Sequence, residues 1–588
     1  MDNRAIANIL YETADLLEIA GEDTFRIRSY RRAAESIESH PQPLMQMRHD
    51  EKAILAIPGI GKGMLANLRD IFSTGEMSLH RELLEKYRPS MLDLLKIPGL
   101  GPKTIALIWD AFQVADIAGV EQLAKEQKLR TLPRLSAKTE EKILKGIEEF
   151  RQRSGRFLMH TADNTAAEFS ARLLQLPGVE KVTPAGSLRR GRETVGDLDL
   201  LVTGACCQPE KREQLEAVIE SVSTFPGVAE VLARGDSKVS VRMRSGMQVD
   251  VRLLEPKSFG AALQYFTGSK MHNVSLRQRA LKLGYTLSEY ALTRLDDGRD
   301  VASRTEEDIY RALGMEWIPP ELRENCGEIE AAIAGKLPDL ITQSDIRGDV
   351  HAHTVETDGT KTSAEMADFA RSLGYEYCAI TDHSKNLAMT NGLDDRRAME
   401  HIRRIREVNR EMEGIDVLAG IECDILGDGA LDLSDSVLDE MDIVIGSIHS
   451  YFSQSPEQMT ERLLTAINTG KIDVLAHPFG RMLLRREGYT FDLKQVCTAA
   501  REHDMALEHN SSVSRLDLSD VHLRFAKAEG VKIIINTDAH SFTDYTRMKY
   551  GVMQLRRAWL TRDDVVNTRS VREFTGWLRL RRARQVSQ

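Results

Sequence analysis

The sequence predicts a multidomain chain: a helical N-terminal region, a mixed α+β centre, and a C-terminal parallel barrel of seven strand and helix units. Three observations carry that reading. Apolar residues recur at helical spacing up to about residue 155, as in AIANILYETADLLEIA, with Gly and Pro at the breaks. From about 156 to 318 helical segments mix with strand-like runs such as MQVDVRL. From about 346 seven apolar runs, DVHAH, YCAITDH, VLAGIECD, IVIGSIH, IDVLAH, MALEH and VKIIINTDAH, alternate with helix-like segments, and most end in His, Asp or Glu.

A chain of 588 residues has room for three to five domains. The expected divisions are helical segments 1–85 and 86–155, α+β segments 156–260 and 261–318, a proline-bounded acidic linker 319–345 with one short helix, and the barrel 346–588. No apolar run approaches membrane-spanning length and the first residues are too acidic for a leader peptide, so no membrane partner and a cytoplasmic location are expected. Six scattered cysteines form no CxxC pair, which argues against a zinc ribbon or a disulfide framework. The net charge of -10 is uneven: residues 1–300 hold 43 Lys and Arg against 41 Asp and Glu, the remainder 36 against 48. A near-neutral N-terminal half with basic clusters is compatible with nucleic acid, because affinity follows local phosphate neutralisation.

In the helical region two punctuations are nearly identical, Ile57-Pro58-Gly59-Ile60-Gly61-Lys62 and Ile97-Pro98-Gly99-Leu100-Gly101-Pro102-Lys103. Each has the pattern of a helix-hairpin-helix motif. Gly59, Gly61, Gly99 and Gly101 allow a tight turn, after which free amide groups and Lys103 can face a DNA phosphate without reading the base. A weaker copy, Leu132 to Lys138, has Arg134 and Ser136 in place of both glycines and is not expected to contact DNA. Arg26, Arg28, Arg31 and Arg32 could line a 5'-phosphate pocket.

The centre turns on GSLRRGRETVGDLDL, which begins at Gly186. The period of a strand puts Asp197 and Asp199 on one face, and Asp250 is the candidate third carboxylate. Such a triad suits hard divalent cations, Mg2+ or Mn2+, in phosphoryl transfer. Gly186 and Ser187 offer close amides and a hydroxyl to a triphosphate that Arg189 and Arg190 would neutralise.

The order Gly-Ser-x-x-Arg, Gly196-Asp197-x-Asp199, Asp250, then Tyr265-Phe266-Thr267-Gly268-Ser269 with Asn273 and Arg277, resembles family X DNA polymerases, the DNA polymerase beta group, over roughly 280 residues. The resemblance implies an α+β nucleotidyltransferase palm and thumb acting on gapped or primed DNA and a dNTP. It implies that Asp197, Asp199 and Asp250 are catalytic and hold the metals. It further implies that Gly186, Ser187, Arg190 and Gly196 bind the nucleotide, and that Tyr265, Phe266 and Gly268 lie against its sugar. Asn273 and Arg277, four apart on a helix, could reach the minor-groove edge of the new base pair. Two departures stand out: Asn67 occupies the place of the family's Schiff-base lysine, which argues against a lyase activity of the animal type, and Lys270 replaces an acidic residue near the base.

In the barrel His351, His353, Asp358, His383, Glu422, His449, His477, Asp538 and His540 all fall at strand ends, where barrels place their chemistry. The set resembles the polymerase and histidinol phosphatase (PHP) domain, a distorted (βα)7 metal-dependent barrel. The resemblance implies up to three metals: one on His351, His353, Glu422 and Asp538, a second on Glu422, His449 and His477, a third on Asp358, His383 and His540. Mixed N/O ligation suits Mn2+, Zn2+ or Fe2+ and implies phosphoester hydrolysis. His509, in MALEHNSS, is expected to stand outside the set. The expected function is gap-filling DNA repair synthesis with a 3'-5' exonuclease, abasic-site cleavage or 3'-phosphate removal being further reactions of that site. The rival reading is a template-independent nucleotidyltransferase fused to a phosphatase.

Overall fold

The computed structural model describes residues 3–38, 44–88, 90–97, 99–153, 155–387 and 390–585, and the chain forms two compact units, Met1–Gly155 and Arg156–Gln588. The N-terminal unit is helical, and one continuous core runs through it from Ile6 to Ile147. Both predicted hairpins are present. In each, the turn is closed by an amide of the second apolar residue donating to the carbonyl of the first, Ile60 to Ile57 at 3.1 Å and Leu100 to Ile97 at 3.0 Å. Gly59 and Gly99 take φ of +84° and +97°, the left-handed conformation that favours glycine. The weaker copy folds the same way: Leu135 donates to Leu132 at 3.2 Å, and Arg134 accepts the left-handed φ of +69° in place of glycine.

In the second unit a five-stranded sheet has the order Lys181–Pro184, Asp197–Thr203, Gln248–Leu254, Lys238–Met243, Val228–Arg234. The two aspartate-bearing strands are neighbours and run parallel, with Asp199 in register with Asp250. Leu198, Leu200, Val202, Val249 and Val251 alternate with them into the core. The thumb follows, with helices Phe259–Thr267, Lys270–Lys282 and Glu306–Ala312 around a three-stranded sheet.

The stretch 319–345 is not a linker. Its short helix exists, Glu328–Ile333, but Leu322, Ile329, Ala332 and Leu340 are buried in the thumb core and Ile341 in the barrel core. Glu328, fully buried, accepts from the His272 ring at 2.7 Å, and the other ring nitrogen meets the Tyr310 hydroxyl at 2.9 Å. A burial-worthy partner for an acidic residue is invisible in local composition, which is why the segment reads as solvated.

The barrel is nearly closed. Seven parallel strands, Gly348–Asp349, Tyr377–Ile380, Asp416–Asp424, Ile443–Ser447, Val474–Leu475, Ala506–Asn510 and Lys532–Asn536, follow one another in sequence order, and an isolated parallel bridge joins Ala352 to Ala539. The last helix, Val571–Gln585, packs Phe574, Trp577 and Leu578 against Val350, Tyr377 and Ile445. Arg581, buried in that helix, donates to Asp473 at 2.6 Å. Among the described residues no helix is long and apolar enough to cross a membrane.

Candidate active sites

The two hairpins leave their following helices uncapped. Gly61 and Gly101 are the N-cap residues of Lys62–Thr74 and Pro102–Phe112, with no side chain accepting from the first amides, and Lys103 is exposed beside them. Pro98 of the second motif lies outside the described residues. In the third copy Ser136 Oγ accepts from the Thr139 amide at 3.2 Å, so its helix is capped from within. A Cβ on Gly59 would meet Arg32 Cγ at 2.9 Å, so the hairpin needs glycine there for packing as well as for φ. The expected arginine pocket is partly spent: Arg31 pairs with Asp15 and Glu18, and Arg26 with Glu22, while Arg28 and Arg32 remain exposed. Asn67 donates to the Tyr30 hydroxyl at 2.8 Å.

In the palm Asp197 is exposed, Asp199 half-buried and Asp250 buried, a carboxylate triad open on one side. Burial, then the like charges of Asp197 and Asp250, pushes the Asp199 carboxyl up to about 7. Burial would raise Asp250 too, but Lys238 at 2.7 Å, Ser240 and Gln248 hold it below the usual range. A divalent cation is what would relieve this crowding. Gly186 has φ of +58°, and a Cβ there would stand 2.5 Å from Asp199 Oδ2, so the Gly-Ser turn presses directly on the carboxylate.

Arg189, expected to face phosphates, is instead committed to the thumb: it donates to both oxygens of Glu306 at 2.8 Å and to Thr267 Oγ1 at 2.6 Å. Glu306 is buried and also accepts from Arg323 and Trp317. Burial opposes its charge, yet the guanidinium groups of Arg323 and Arg189 hold its carboxyl far below the usual range. Arg190 is also held, its Nε donating to Glu324 at 3.1 Å and its Nη1 to the Thr267 carbonyl. Tyr265 and Phe266 meet edge to face, with the Arg252 guanidinium 3.9 Å from the Phe266 ring centre. Gly268 has φ of +68° and ends that helix, and Ser269 caps the next. Asn273 accepts from Gln264 and donates to the Tyr265 carbonyl, each at 2.7 Å, and Arg277 is exposed one turn on. Gly196 sits next to the Asp197 strand, at the foot of the triad.

The barrel brings all nine predicted residues together. Asp538 Oδ1 stands 3.5 Å from His351 Nε2 and 3.1 Å from His353 Nε2. Glu422 lies at the centre, 3.5 Å from both of those rings, 3.4 Å from His449, 3.1 Å from His477 and 2.7 Å from His383. Asp358 Oδ2 is 3.4 Å from His383 and 3.4 Å from His540. Among the described residues three groups of donor atoms could each hold an ion: His351, His353 and Asp538; His383, Glu422 and His449; and His353, Asp358, His383 and His540, with His477 in none of them. The residues fit metal on an independent count, since His351 Nε2, both ring nitrogens of His353 and His477 Nδ1 are buried without a hydrogen bond. Burial, then the neighbouring His540 and His383, pushes His353 down to about 4, which keeps that imidazole a neutral ligand. His477 and Asp538 carry positive φ, 28° and 54°, a strained backbone at two of the donors.

Residues that local reading missed hold this set from behind. Glu508 accepts from His351 Nδ1 at 2.7 Å and from the His477 amide at 2.9 Å, and Asp424 faces His449 Nδ1 at 2.9 Å. His509, the neighbour of Glu508, turns the other way, its Nδ1 donating to the Leu518 carbonyl at 2.7 Å. The period of two on the strand Ala506–Asn510 was the available signal, since only one of the adjacent pair could face the site.

A carboxylate-bearing palm with its thumb and a histidine-rich parallel barrel, in a chain that also carries a hairpin-bearing helical unit, define a multidomain enzyme class built for phosphoryl chemistry. Family models agree segment by segment: a helix-hairpin-helix domain over residues 1–77, a SAM-like helix-hairpin-helix tandem over 91–149, the DNA polymerase beta thumb over 262–324 and a PHP domain over 349–512. The chain is 37% identical over 582 residues to the DNA polymerase/3'-5' exonuclease PolX of Bacillus subtilis, covering 98% of this chain and all of that one. It belongs to that PolX family of family X DNA polymerases with a C-terminal PHP domain. The barrel segment is also similar to probable phosphatases, 29% identical over 231 residues in Thermoanaerobacter sp. (strain X514), 37% of this chain and 89% of that one, and 32% over 202 residues in Shewanella loihica, 33% and 77%.

Proposed function

We propose that the chain is a DNA-directed DNA polymerase that fills gaps in repair and carries its own 3'-5' exonuclease in the barrel. One observation carries this: two separate donor sets, three palm carboxylates and a barrel cluster of His, Asp and Glu with three groups able to hold a metal, stand in a chain related over its whole length to a protein named for both activities. Mg2+ or Mn2+ in the palm, and up to three Mn2+, Zn2+ or Fe2+ in the barrel, would supply Lewis acidity to phosphoryl oxygens and to the attacking hydroxyl or water.

In the palm Asp197 and Asp199 would hold the cations, and Asp250, in register with Asp199, would orient the primer 3'-hydroxyl for in-line attack on the α-phosphate. The Gly186 amide side, Ser187 and Arg190 would receive the triphosphate, with Gly196 at the strand start. Tyr265, Phe266 and Gly268 would lie against the sugar, and Asn273 and Arg277 would test the base pair. Gly59, Gly61, Gly99, Gly101 and Lys103 would grip DNA phosphates in a gapped or primed duplex. In the barrel Glu422 would bridge two metal positions, while Glu508 and Asp424 fix the rings of His351 and His449. Abasic-site cleavage and 3'-phosphate removal are the related reactions open to the same ligands.

A 5'-labelled primer in a gapped duplex, with Mn2+ and no dNTP, tests both halves when wild type is compared with His351→Ala and with Asp197→Ala/Asp199→Ala. The expected result is shortening lost only in His351→Ala and, once dNTP is added, extension lost only in the double aspartate variant. An untouched wild-type primer defeats the exonuclease reading. The similarity of the barrel to probable phosphatases favours one other reading, a template-independent transferase with a phosphatase, which predicts extension indifferent to the template strand.

A further inference from the structure

The helix Met548–Arg557 of the barrel packs on the turn that follows the Gly-Ser motif of the palm. Gln554 Nε2 donates to the Gly191 carbonyl at 2.7 Å, and a Cβ on Gly191 would stand 3.2 Å from Met553. Arg557 is almost fully buried. Its Nη1 donates to the Arg190 carbonyl at 2.6 Å and to Glu324 Oε1 at 3.0 Å, and its Nε and Nη2 donate to Asp520 Oδ2 at 2.9 and 2.8 Å. The same Glu324 oxygen accepts from Arg190 Nε at 3.1 Å. One thumb carboxylate is therefore shared between a palm arginine and a barrel arginine, and the barrel arginine also holds the palm arginine's backbone.

A carboxylate held by one guanidinium is oriented by it, and a carboxylate shared by two is bound less tightly to either. Without Arg557, Glu324 would draw Arg190 more strongly to itself, and the backbone between Ser187 and Gly191 would lose an anchor. The first change would hold Arg190 on Glu324 rather than on an incoming polyphosphate, and the second would loosen the turn that carries it.

We propose that Arg557 is a positioning residue for the nucleotide subsite of the palm, acting through Glu324 and the Arg190 carbonyl, so that the barrel sets the polymerase's affinity for nucleoside triphosphate. This rests on the palm being the nucleotidyl-transfer site. The test is single-nucleotide gap filling by the full chain, with KM for dNTP and kcat measured for wild type, Arg557→Gln, Arg557→Lys, Glu324→Gln and the Arg557→Gln/Glu324→Gln pair. Mn2+-dependent primer shortening by the same preparations reports whether the barrel is folded.

Arg557→Gln is expected to raise KM about tenfold, the worth of a charged hydrogen bond, with kcat within about twofold and shortening unchanged. Arg557→Lys recovers part of the loss, and the effect of Arg557→Gln shrinks in the Glu324→Gln background. An unchanged KM in Arg557→Gln with normal shortening overturns the proposal, as do Arg557 and Glu324 effects that simply multiply. Should Arg557→Gln lose both activities, Gln554→Ala, which removes only the Gly191 anchor, decides: a raised KM supports the coupling and an unchanged one overturns it. Gap filling absent from wild type would instead sink the reading of the palm itself.

Discussion

The palm carboxylates and the barrel ligands are both donor sets on strand ends, yet they are supported in opposite ways. In the palm one carboxylate is exposed, one half-buried and one buried, with Lys238 paired to Asp250 at 2.7 Å and the Arg252 charge acting on Asp199. In the barrel the inner donors His351, His353, Glu422 and His477 are fully buried, and rings are fixed from behind by Glu508 and Asp424. An open triad of like charges suits cations that come and go with a nucleotide. Buried imidazoles held by outer carboxylates suit ions that stay, because the ring orientation is set before the ion arrives. The two sites should therefore respond differently to loss of a supporting residue.

The sharpest break comes at Glu508. Glu508→Gln should lower barrel hydrolysis or its metal affinity by about 10- to 100-fold while gap filling is unaffected, read from primer shortening as Mn2+ is titrated. Equal activity in variant and wild type would erase the contrast between supported and unsupported sites. Next is Gly186→Ala, which must hold alanine at positive φ against Asp199 Oδ2. The backbone alone should cost about 1–2 kcal/mol, and gap filling should fall while barrel hydrolysis stays at the wild-type rate.

A smaller effect separates structural from ligating histidines. Burial pushes His509 down to about 4, so the fold prefers its neutral form. With an unfolded value of about 6.5, the stability it protects is complete above that pH and is lost progressively as pH falls toward 4. Near pH 5.5 this is about 1 kcal/mol, and His509→Gln should flatten that part of the melting-temperature profile. The least effect is expected in the N-terminal unit: Lys103→Ala should weaken DNA binding uniformly across sequences and lower the salt slope by about one, seen in fluorescence titrations at several ionic strengths.

Much of this was legible from residues close together in the chain. Asp197 and Asp199 share a strand face by periodicity, the hairpins repeat a short glycine pattern, and most of the barrel's apolar runs end in a His, Asp or Glu, although Asp358 lies on a turn beyond the first run. Arg189 was misread because its cationic charge near a Gly-Ser turn fits a phosphate as well as it fits Glu306, 117 residues away. Segment 319–345 was misread because its acids and prolines signal solvent, whereas Glu328 finds a buried histidine and Glu324 two arginines.

The sequence by itself therefore determined which elements form and which side chains could bind metal or phosphate, since strand and helix periods and turn chemistry act over a few residues. Only the tertiary structure decided how those side chains are shared: Asp250 beside Asp199, Glu508 behind His351, Arg557 on Glu324 and on the backbone of Arg190. The reason is electrostatic. A buried charge is tolerable only where a partner from elsewhere in the chain meets it, and no local pattern records which partner that will be.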